Sequence, residues 1–180
     1  MGNANAGQSW VSRYKWQVMT GVVVLLLVLD QVSKEIAIHF LKGRATLTFL
    51  GDTFRLQYAE NKGAFLSLGA GLSEGSRFWI LGVIVLAFLA LYSYHLLKGA
   101  PSREVVAGIS LVVGGGISNL IDRFFRAEGS VIDFMNMGIG SLRTGIFNIA
   151  DMAIVAGVLL LFYDSWLAKR RSQPSVERQN

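Results

Sequence analysis

The sequence contains no cysteine. This absence excludes disulfide bonds, a thiolate nucleophile, thiolate metal ligands and attachment of a lipid to a cysteine of this chain. Histidine is also scarce, because His39 and His95 are the only two and lie on different segments without the spacing of metal ligands. We therefore expect no metal site, no cofactor and no serine nucleophile activated by a histidine.

Charged residues are few as well. They make up 16% of the 180 residues, whereas apolar residues make up 52%, and the mean hydropathy is +0.46. A soluble domain carries about 25% charged residues, so this composition predicts a membrane protein. A helix crosses the hydrocarbon core with about 20 apolar residues, and four stretches approach that length: 16–32, 78–97, 105–121 and 146–167.

The first apolar stretch has two interpretations. Arg13 and Lys15 precede it, as basic residues precede the apolar core of a secretory signal peptide. The residues that follow, 30–34, read DQVSK and offer no small-residue cleavage site. We therefore expect the stretch to be a retained membrane helix.

We predict a single membrane domain over 1–180, with four transmembrane helices and both termini in the cytoplasm. Basic residues cluster in the connection 98–103 and in the tail 169–171, and such clusters mark the cytoplasmic side. The net charge of +5 then follows from membrane topology, and we expect no nucleic acid partner. The helices are expected at about 16–40, 78–97, 104–123 and 146–168, and disordered tails at 1–12 and 172–180.

The outer loops carry the remaining structure. Residues 46–50 and 53–58 flank a Gly-Asp turn and alternate between apolar and polar side chains, which predicts a β-hairpin within a sheet region at about 44–60. Glycines are frequent from Gly63 onwards, and we expect a short interfacial helix or lid there. The segment 124–146 is expected to skim the membrane interface. The predicted fold class is thus an all-α membrane protein with four transmembrane helices, a small extracytoplasmic β-sheet and an interfacial loop or helix.

Helix periodicity places several residues on shared faces. Asp30 and Lys34 lie four residues apart in the favourable acid-then-base order, which is typical of an ion pair that holds a helix end at the membrane surface. Ser110, Gly114 and Ser118 also recur every four residues. This stripe of small side chains is expected to let a second helix approach closely.

Four acids are expected to meet at the outer membrane surface: Asp30, Asp122, Asp133 and Asp151. Asp122 shares one helical face with Asn119 and Arg123, whereas Asp133 is flanked by apolar residues. Two carboxyl groups held close together cannot both ionise cheaply, so one keeps a proton. An ionised and a protonated carboxyl can together hydrolyse a peptide bond without a metal or a covalent intermediate. Spacing alone does not decide which two of the four acids form such a pair.

Five short motifs resemble those of lipoprotein signal peptidases, the type II signal peptidases of bacteria. With the number of the first residue, they are DQVSK at 30, NKGAF at 61, GGGISNLIDR at 114, VIDF at 131 and FNIAD at 147. Each motif is short, but five of them in order across four predicted spans make the resemblance specific.

The resemblance implies that Asp133 and Asp151 are the catalytic pair of an aspartic endopeptidase in the bacterial inner membrane, with its active site at the outer leaflet. The implied substrate is a prolipoprotein whose cysteine carries diacylglycerol and which is cut on the amino side of that cysteine. Membrane phospholipid and the cyclic peptide antibiotic globomycin are implied as partners, and we expect a monomer. The implied supporting and substrate-binding residues are Asp30, Lys34, Asn61, Gly63, Asn119, Asp122, Arg123, Asn148 and Ala150.

Three residues depart from the family pattern. Gly116 and Ser118 replace an alanine and a glycine of the third-helix motif, and Glu60 adds an acid directly before Asn61. The alternative to an active peptidase is therefore a catalytically weak or inactive paralogue that binds lipidated peptides. A proton-coupled carrier is disfavoured, because no acid lies in the middle of a predicted helix.

Overall fold

A computed structural model of the chain describes residues 2–63, 84–98 and 100–172. The lid that we predict after Gly63 and the beginning of the predicted helix 78–97 lie outside these residues, as does most of the expected C-terminal tail. The described helices are α1 (Gly2–Leu41), α2 (Val85–Leu97), α3 (Arg103–Phe125) and α4 (Ile149–Ser172). The strands are β1 (Leu47–Phe49), β2 (Phe54–Asn61), β3 (Val131–Ile139) and β4 (Leu142–Arg143), and a 3₁₀ helix at Ala127–Gly129 precedes β3.

The helices follow the predicted order, and α1 is longer than expected. It begins at Gly2, so residues 2–12, which we expected in a disordered tail, are helical. No proline interrupts this segment, and a helix can therefore continue through it. Among the described residues, α3 and α4 are the two helices that are long and apolar enough to span a membrane. The arrangement of four spans remains a prediction.

The sheet contains the predicted hairpin but is larger than the region 44–60. β1 and β2 pair antiparallel with Leu47 opposite Leu56 and Phe49 opposite Phe54. The strands lie in the order β1-β2-β3-β4, so the segment that we expected to skim the interface supplies half of the strands. A central strand needs hydrogen-bonding partners on both sides. β3 provides them for β2, with Ala59 opposite Asp133 and Asn61 opposite Val131.

Glycines let α3 pack closely against two neighbours. A Cβ atom at Gly114 would lie 2.9 Å from a methyl group of Leu26 on α1, which agrees with the predicted stripe of small side chains. A second close approach was not predicted. A Cβ atom at Gly115 would lie 2.5 Å from the Ala150 carbonyl oxygen on α4, and one at Gly108 would lie 2.9 Å from the Gly157 carbonyl oxygen. These approaches hold α4 close along α3, with the beginning of α4 beside Gly115.

The sheet rests on the last turns of α1. Ala37 and Leu41 form a buried apolar cluster with Phe134 of β3, and Ile149 at the start of α4 packs against the same cluster. Burial of these side chains stabilises the contact between the helices and the sheet. β3 is thereby held beside the start of α4, which brings Asp133 close to Asp151.

Candidate active site

Lys34 lies at the centre of a buried cluster of polar side chains. Its Nζ atom is 2.6 Å from Oδ2 of Asp30 and 2.9 Å from Oδ2 of Asp122, and it donates a 2.9 Å hydrogen bond to Oδ1 of Asn119. The three charged side chains are at most 1% exposed. The predicted ion pair of Asp30 and Lys34 is therefore present, but Asp122 joins it and the group lies inside the protein. A buried ammonium needs such compensation, because an unpaired charge there is very unfavourable.

Asp30 connects this cluster to α4. Its Oδ1 atom accepts a 2.8 Å hydrogen bond from the Ala150 N–H, while its Oδ2 atom accepts a 2.7 Å hydrogen bond from the Ser118 hydroxyl. The first bond satisfies one of the N–H groups that a helix leaves open at its N-terminus. Ala150 is completely buried and directly precedes Asp151. Asp30 thus positions the backbone beside Asp151 without contacting its carboxylate in the contacts described.

Asp151 is held at the N-terminus of α4 by Asn148. The Asp151 N–H donates a 2.9 Å bond to Oδ1 of Asn148, and the Asn148 N–H donates a 3.2 Å bond to Oδ2 of Asp151. This reciprocal pair has the form of a capping box, with Asn148 as the capping residue. Oδ1 of Asp151 accepts a 2.9 Å bond from the Asn119 amide, and Oδ1 of Asn119 in turn accepts a bond from Lys34. Both ends of the Asp151 carboxylate are therefore fixed.

Asp133 lies on β3, next to Asp151. Its Oδ1 atom accepts a 2.7 Å hydrogen bond from the Asn148 amide, and its Oδ2 atom accepts a 3.0 Å bond from the Asn61 amide. Burial is the main cause that raises the pKa of Asp133 to about 7, and the negative charge of Asp151 raises it further. Asn148 therefore contacts both acids, with its side-chain amide on Asp133 and its main-chain N–H on Asp151.

Asn61, Gly63 and Arg123 form a connected edge beside Asp133. Oδ1 of Asn61 accepts a 3.0 Å bond from the Gly63 N–H, and the Gly63 carbonyl accepts a 2.6 Å bond from Nη2 of Arg123. Arg123 also donates to the Gly129 carbonyl at 3.3 Å. The sequence places Arg123 near Asp122, but in these contacts Arg123 orders the backbone around Gly63.

Arg126 and Gln31 also belong to the site, although the sequence did not predict them there. Nε of Arg126 lies 2.9 Å from Oδ1 of Asp122, and its Nη2 atom lies 2.8 Å from Glu35. The Gln31 amide donates a 3.2 Å bond to the same Asp122 oxygen. Arg126 follows Asp122 by four residues, so helical spacing could have identified this pair. No local pattern connects Gln31 to α3, because the contact joins residues 91 positions apart.

Glu60 points away from the two acids. Its carboxylate accepts a 2.6 Å bond from the Tyr58 hydroxyl and lies 2.9 Å from Nζ of Lys42. These two hydrogen bonds, that of Tyr58 first, lower the pKa of Glu60. Successive side chains of a strand face opposite sides of the sheet, so Asn61 faces Asp133 while Glu60 does not. The extra negative charge is compensated outside the site.

Comparison with known proteins shows which family this chain resembles. A family model described as signal peptidase (SPase) II matches residues 22–167. The lipoprotein signal peptidase of Beijerinckia indica subsp. indica is 36% identical over 165 residues, which cover 91% of this chain and 96% of that protein. The lipoprotein signal peptidase of Borrelia turicatae is 33% identical, with 83% of this chain and 90% of that protein covered.

The fold of this chain is also similar to that of solved structures. Two of them are described as bacterial membrane enzyme structures. One aligns with a TM-score of 0.74 at 26% identity and covers 88% of this chain and 93% of that chain. The other aligns with a TM-score of 0.69 at 27% identity and covers 83% and 92%.

Proposed function

This chain belongs to the signal peptidase II family, and we propose that it cleaves prolipoproteins by aspartic catalysis with Asp133 and Asp151 as the catalytic pair. Family membership makes the chain a protease that removes signal peptides from prolipoproteins. The observation that supports the catalytic pair is the shared partner Asn148, which binds the Asp133 carboxylate through its side chain and the Asp151 carboxylate through its main chain. Two acids that approach the same residue from different elements can act on one bond.

The pair is proposed to hold one proton at neutral pH. Asp133 is only 2% exposed, and its pKa is raised to about 7, so we assign the proton to Asp133 and the negative charge to Asp151. Repulsion between neighbouring carboxylates favours this singly protonated state over the doubly ionised one. The pair therefore offers a general acid and a general base in one site.

The proposed reaction proceeds through a tetrahedral intermediate. Asp151 takes a proton from water while the water oxygen attacks the scissile carbonyl carbon, and Asp133 donates its proton to the carbonyl oxygen. Asp151 then returns a proton to the amide nitrogen, the C–N bond breaks, and Asp133 recovers its proton from a hydroxyl of the intermediate. The products are the carboxyl end of the signal peptide and the free amino group of the following residue. The step needs neither a metal nor a covalent intermediate.

The surrounding residues are proposed to orient the acids and the substrate. Asn119 and Asn148 fix the Asp151 carboxylate, and Asn61 fixes that of Asp133. Arg123 holds the Gly63 carbonyl at 2.6 Å, and this edge is proposed to lie alongside the substrate backbone. Proximity of the acids to a correctly oriented peptide bond accounts for a large part of catalysis in such sites.

The proposed substrate is a prolipoprotein whose cysteine carries diacylglycerol, cut on the amino side of that cysteine. The resemblance in the five motifs supports this choice, and so does the position of both acids at one end of the apolar helices α3 and α4. Acyl chains can remain in the outer leaflet of the bacterial inner membrane while the peptide bond reaches the acids. In the proposed topology of four spans, both termini lie in the cytoplasm. Globomycin is proposed to occupy the same site.

The experiment that tests this function compares three purified proteins: the wild type, Asp133→Asn and Asp151→Asn. Each is incubated with a diacylglyceryl-modified prolipoprotein and with the unlipidated precursor, and cleavage is followed by gel shift. We expect cleavage of the lipidated form by the wild type alone. Cleavage at the wild-type rate by either variant would reject the catalytic pair. Binding of the lipidated substrate without cleavage by the wild type would instead favour the paralogue that only binds lipidated peptides.

A further inference from the structure

Large apolar side chains project from the end of the sheet that lies away from Asp133. We call this group the sheet tip, and it consists of Phe49, Leu50, Met137, Ile139 and Leu142. These side chains are between 45% and 83% exposed. The group comes from two hairpins that lie side by side, because Phe54 pairs with Met137 and the Gly138 N–H donates a 2.9 Å bond to the Thr53 carbonyl. An apolar patch of this kind marks a surface that contacts a partner or a membrane.

The backbone conformation of the turn at Leu50 exposes an apolar side chain of the tip. Leu50 has a φ of 53°, in the left-handed region, which a leucine rarely adopts and where glycine or asparagine is usual. The Thr53 N–H and hydroxyl both donate to the Leu50 carbonyl, at 3.3 and 2.9 Å, and hold the turn in this form. The turn thereby places a leucine that is 81% exposed at its apex. In water the conformation and the exposure are both unfavourable, whereas acyl chains around Leu50 would remove the second cost.

Basic side chains lie directly behind the sheet tip. Arg55 donates two hydrogen bonds to the Asp52 carboxylate, at 2.6 and 2.5 Å. Arg143 donates a 2.8 Å bond to the Asp52 carbonyl and lies 3.6 Å from the same carboxylate. Two guanidinium groups thus share one carboxylate, which leaves one positive charge in excess. Positive charge thus lies next to the apolar tip, in the same order as the phosphate groups and acyl chains of a lipid leaflet.

The opposite end of the sheet fixes where the tip can reach. Phe134 packs on Ala37 and Leu41 at the end of α1, and Phe147, two residues before α4, bridges to Met135 of β3. The sheet is therefore attached at the ends of helices that run through the apolar layer. From this attachment β3 extends six residues beyond Asp133 to Ile139, so the tip lies within about 20 Å of Asp133.

We propose that the sheet tip inserts into the outer leaflet of the lipid bilayer, with its apolar side chains among the acyl chains and with Arg55 and Arg143 at the level of the phosphate groups. The tip would then be a second membrane attachment besides the transmembrane helices, and it would hold β3 and Asp133 at a constant height above the bilayer. This inference rests on the proposed membrane topology but not on the proposed catalysis.

The test uses the absence of cysteine in the chain. Single-cysteine variants Ile139→Cys and Leu142→Cys are labelled with an environment-sensitive fluorophore and placed, one copy per disc, in nanodiscs of phosphatidylcholine with and without bromine on the acyl chains. Thr46→Cys, an exposed position at the other end of the β1–β2 hairpin, is the matched control. We expect bromine to quench the two tip labels about threefold or more strongly than the control label. Unfolding temperatures equal to that of the wild type confirm that the variants are folded.

Two results would overturn the proposal. Quenching of the tip labels no stronger than at Thr46→Cys would place the tip in water. The tip labels could also be shielded from water only when several copies share one nanodisc. The tip would then be a contact between copies of this chain. Cleavage of lipidated precursor by the same variants is measured in parallel. Cleavage without quenching rejects the inserted tip alone. Quenching of the labelled variants, when neither they nor the wild type cleave the precursor, rejects the proposed catalysis alone.

Discussion

The Ser118 hydroxyl donates a 2.7 Å hydrogen bond to Oδ2 of Asp30, across the interface between α3 and α1. Both side chains are completely buried. In the family pattern that the sequence resembles, we expect a glycine, which has no hydroxyl, at the position of Ser118. In this chain Asp30 therefore gains a donor, and the same carboxylate binds the Ala150 N–H beside Asp151. The departure at position 118 thus adds a hydrogen bond to the support of the site.

Removal of this hydroxyl is expected to destabilise the protein. Ser118→Ala leaves the buried Asp30 carboxylate with one donor fewer and removes an acceptor of the Gln31 amide, which lies 3.1 Å away. We expect the free energy of unfolding to fall by roughly 1–3 kcal/mol. Ser165→Ala is the control, because in the described part of the chain the exposed Ser165 hydroxyl bonds a carbonyl of its own helix and no other group. Thermal unfolding in detergent measures both, and equal transition temperatures in the two variants would contradict the role of Ser118.

The raised pKa of Asp133 predicts how stability depends on pH. The pKa is about 7 in the folded protein, compared with an ordinary value of 3.8. Between these values the folded state binds a proton that the unfolded state releases, so stability falls as the pH rises from about 4 to about 7. Asp133→Asn removes this dependence and should be more stable than the wild type above about pH 7.

Unfolding temperatures of both proteins at about pH 5 and about pH 8 check this prediction. Asp52→Asn serves as the control, because Arg55 lowers the pKa of the exposed Asp52 carboxyl. That substitution should destabilise the protein at both pH values. A wild type that is equally stable at both pH values would show that Asp133 does not titrate in this range.

Lys34 should be indispensable for folding. Lys34→Met leaves Asp30 and Asp122 facing each other without the ammonium that lies 2.6 and 2.9 Å from them. Breaking a buried ion pair in this way costs roughly 3–5 kcal/mol. Lys62→Met, which removes an exposed ion pair with Glu128, should have a much smaller effect. Chemical denaturation compares the two, and similar losses of stability would argue that the Lys34 cluster is not a buried charge network.

The approach of α3 to α4 predicts an effect on activity at a distance. Gly115→Ala adds a Cβ atom that would lie 2.5 Å from the Ala150 carbonyl oxygen, so α4 must move and displace Asp151. We expect a loss of about 1–3 kcal/mol in stability together with reduced cleavage of lipidated precursor. Gly21→Ala is a matched change, because no atom of the described residues lies within 4 Å of its added Cβ atom, and it should be neutral or stabilising. A Gly115→Ala protein with the stability and activity of the wild type would contradict this packing.

Features that depend on neighbouring residues could be predicted from the sequence. Apolar runs predicted the helices, alternation predicted the β1–β2 hairpin, and a spacing of four residues predicted the pair of Asp30 and Lys34. The motifs identified the family and proposed Asp133 and Asp151 as catalytic residues, an assignment that stays a prediction. Such patterns are readable because helix and strand geometry repeats over a few residues.

Which polar groups meet depends on the packing of the folded chain and could not be predicted. The hydrogen bond between Ser118 and Asp30 joins residues 88 positions apart, and that between Asp30 and the Ala150 N–H joins residues 120 positions apart. Likewise, β3 was not predicted, because its first four residues, 131–134, are all buried and show no alternation between apolar and polar side chains. Each of these contacts exists because α3 packs closely on α1 and α4 and because β2 needs a partner on its second edge. Local periodicity carries no information about either condition, since both depend on which surfaces the folded chain brings together.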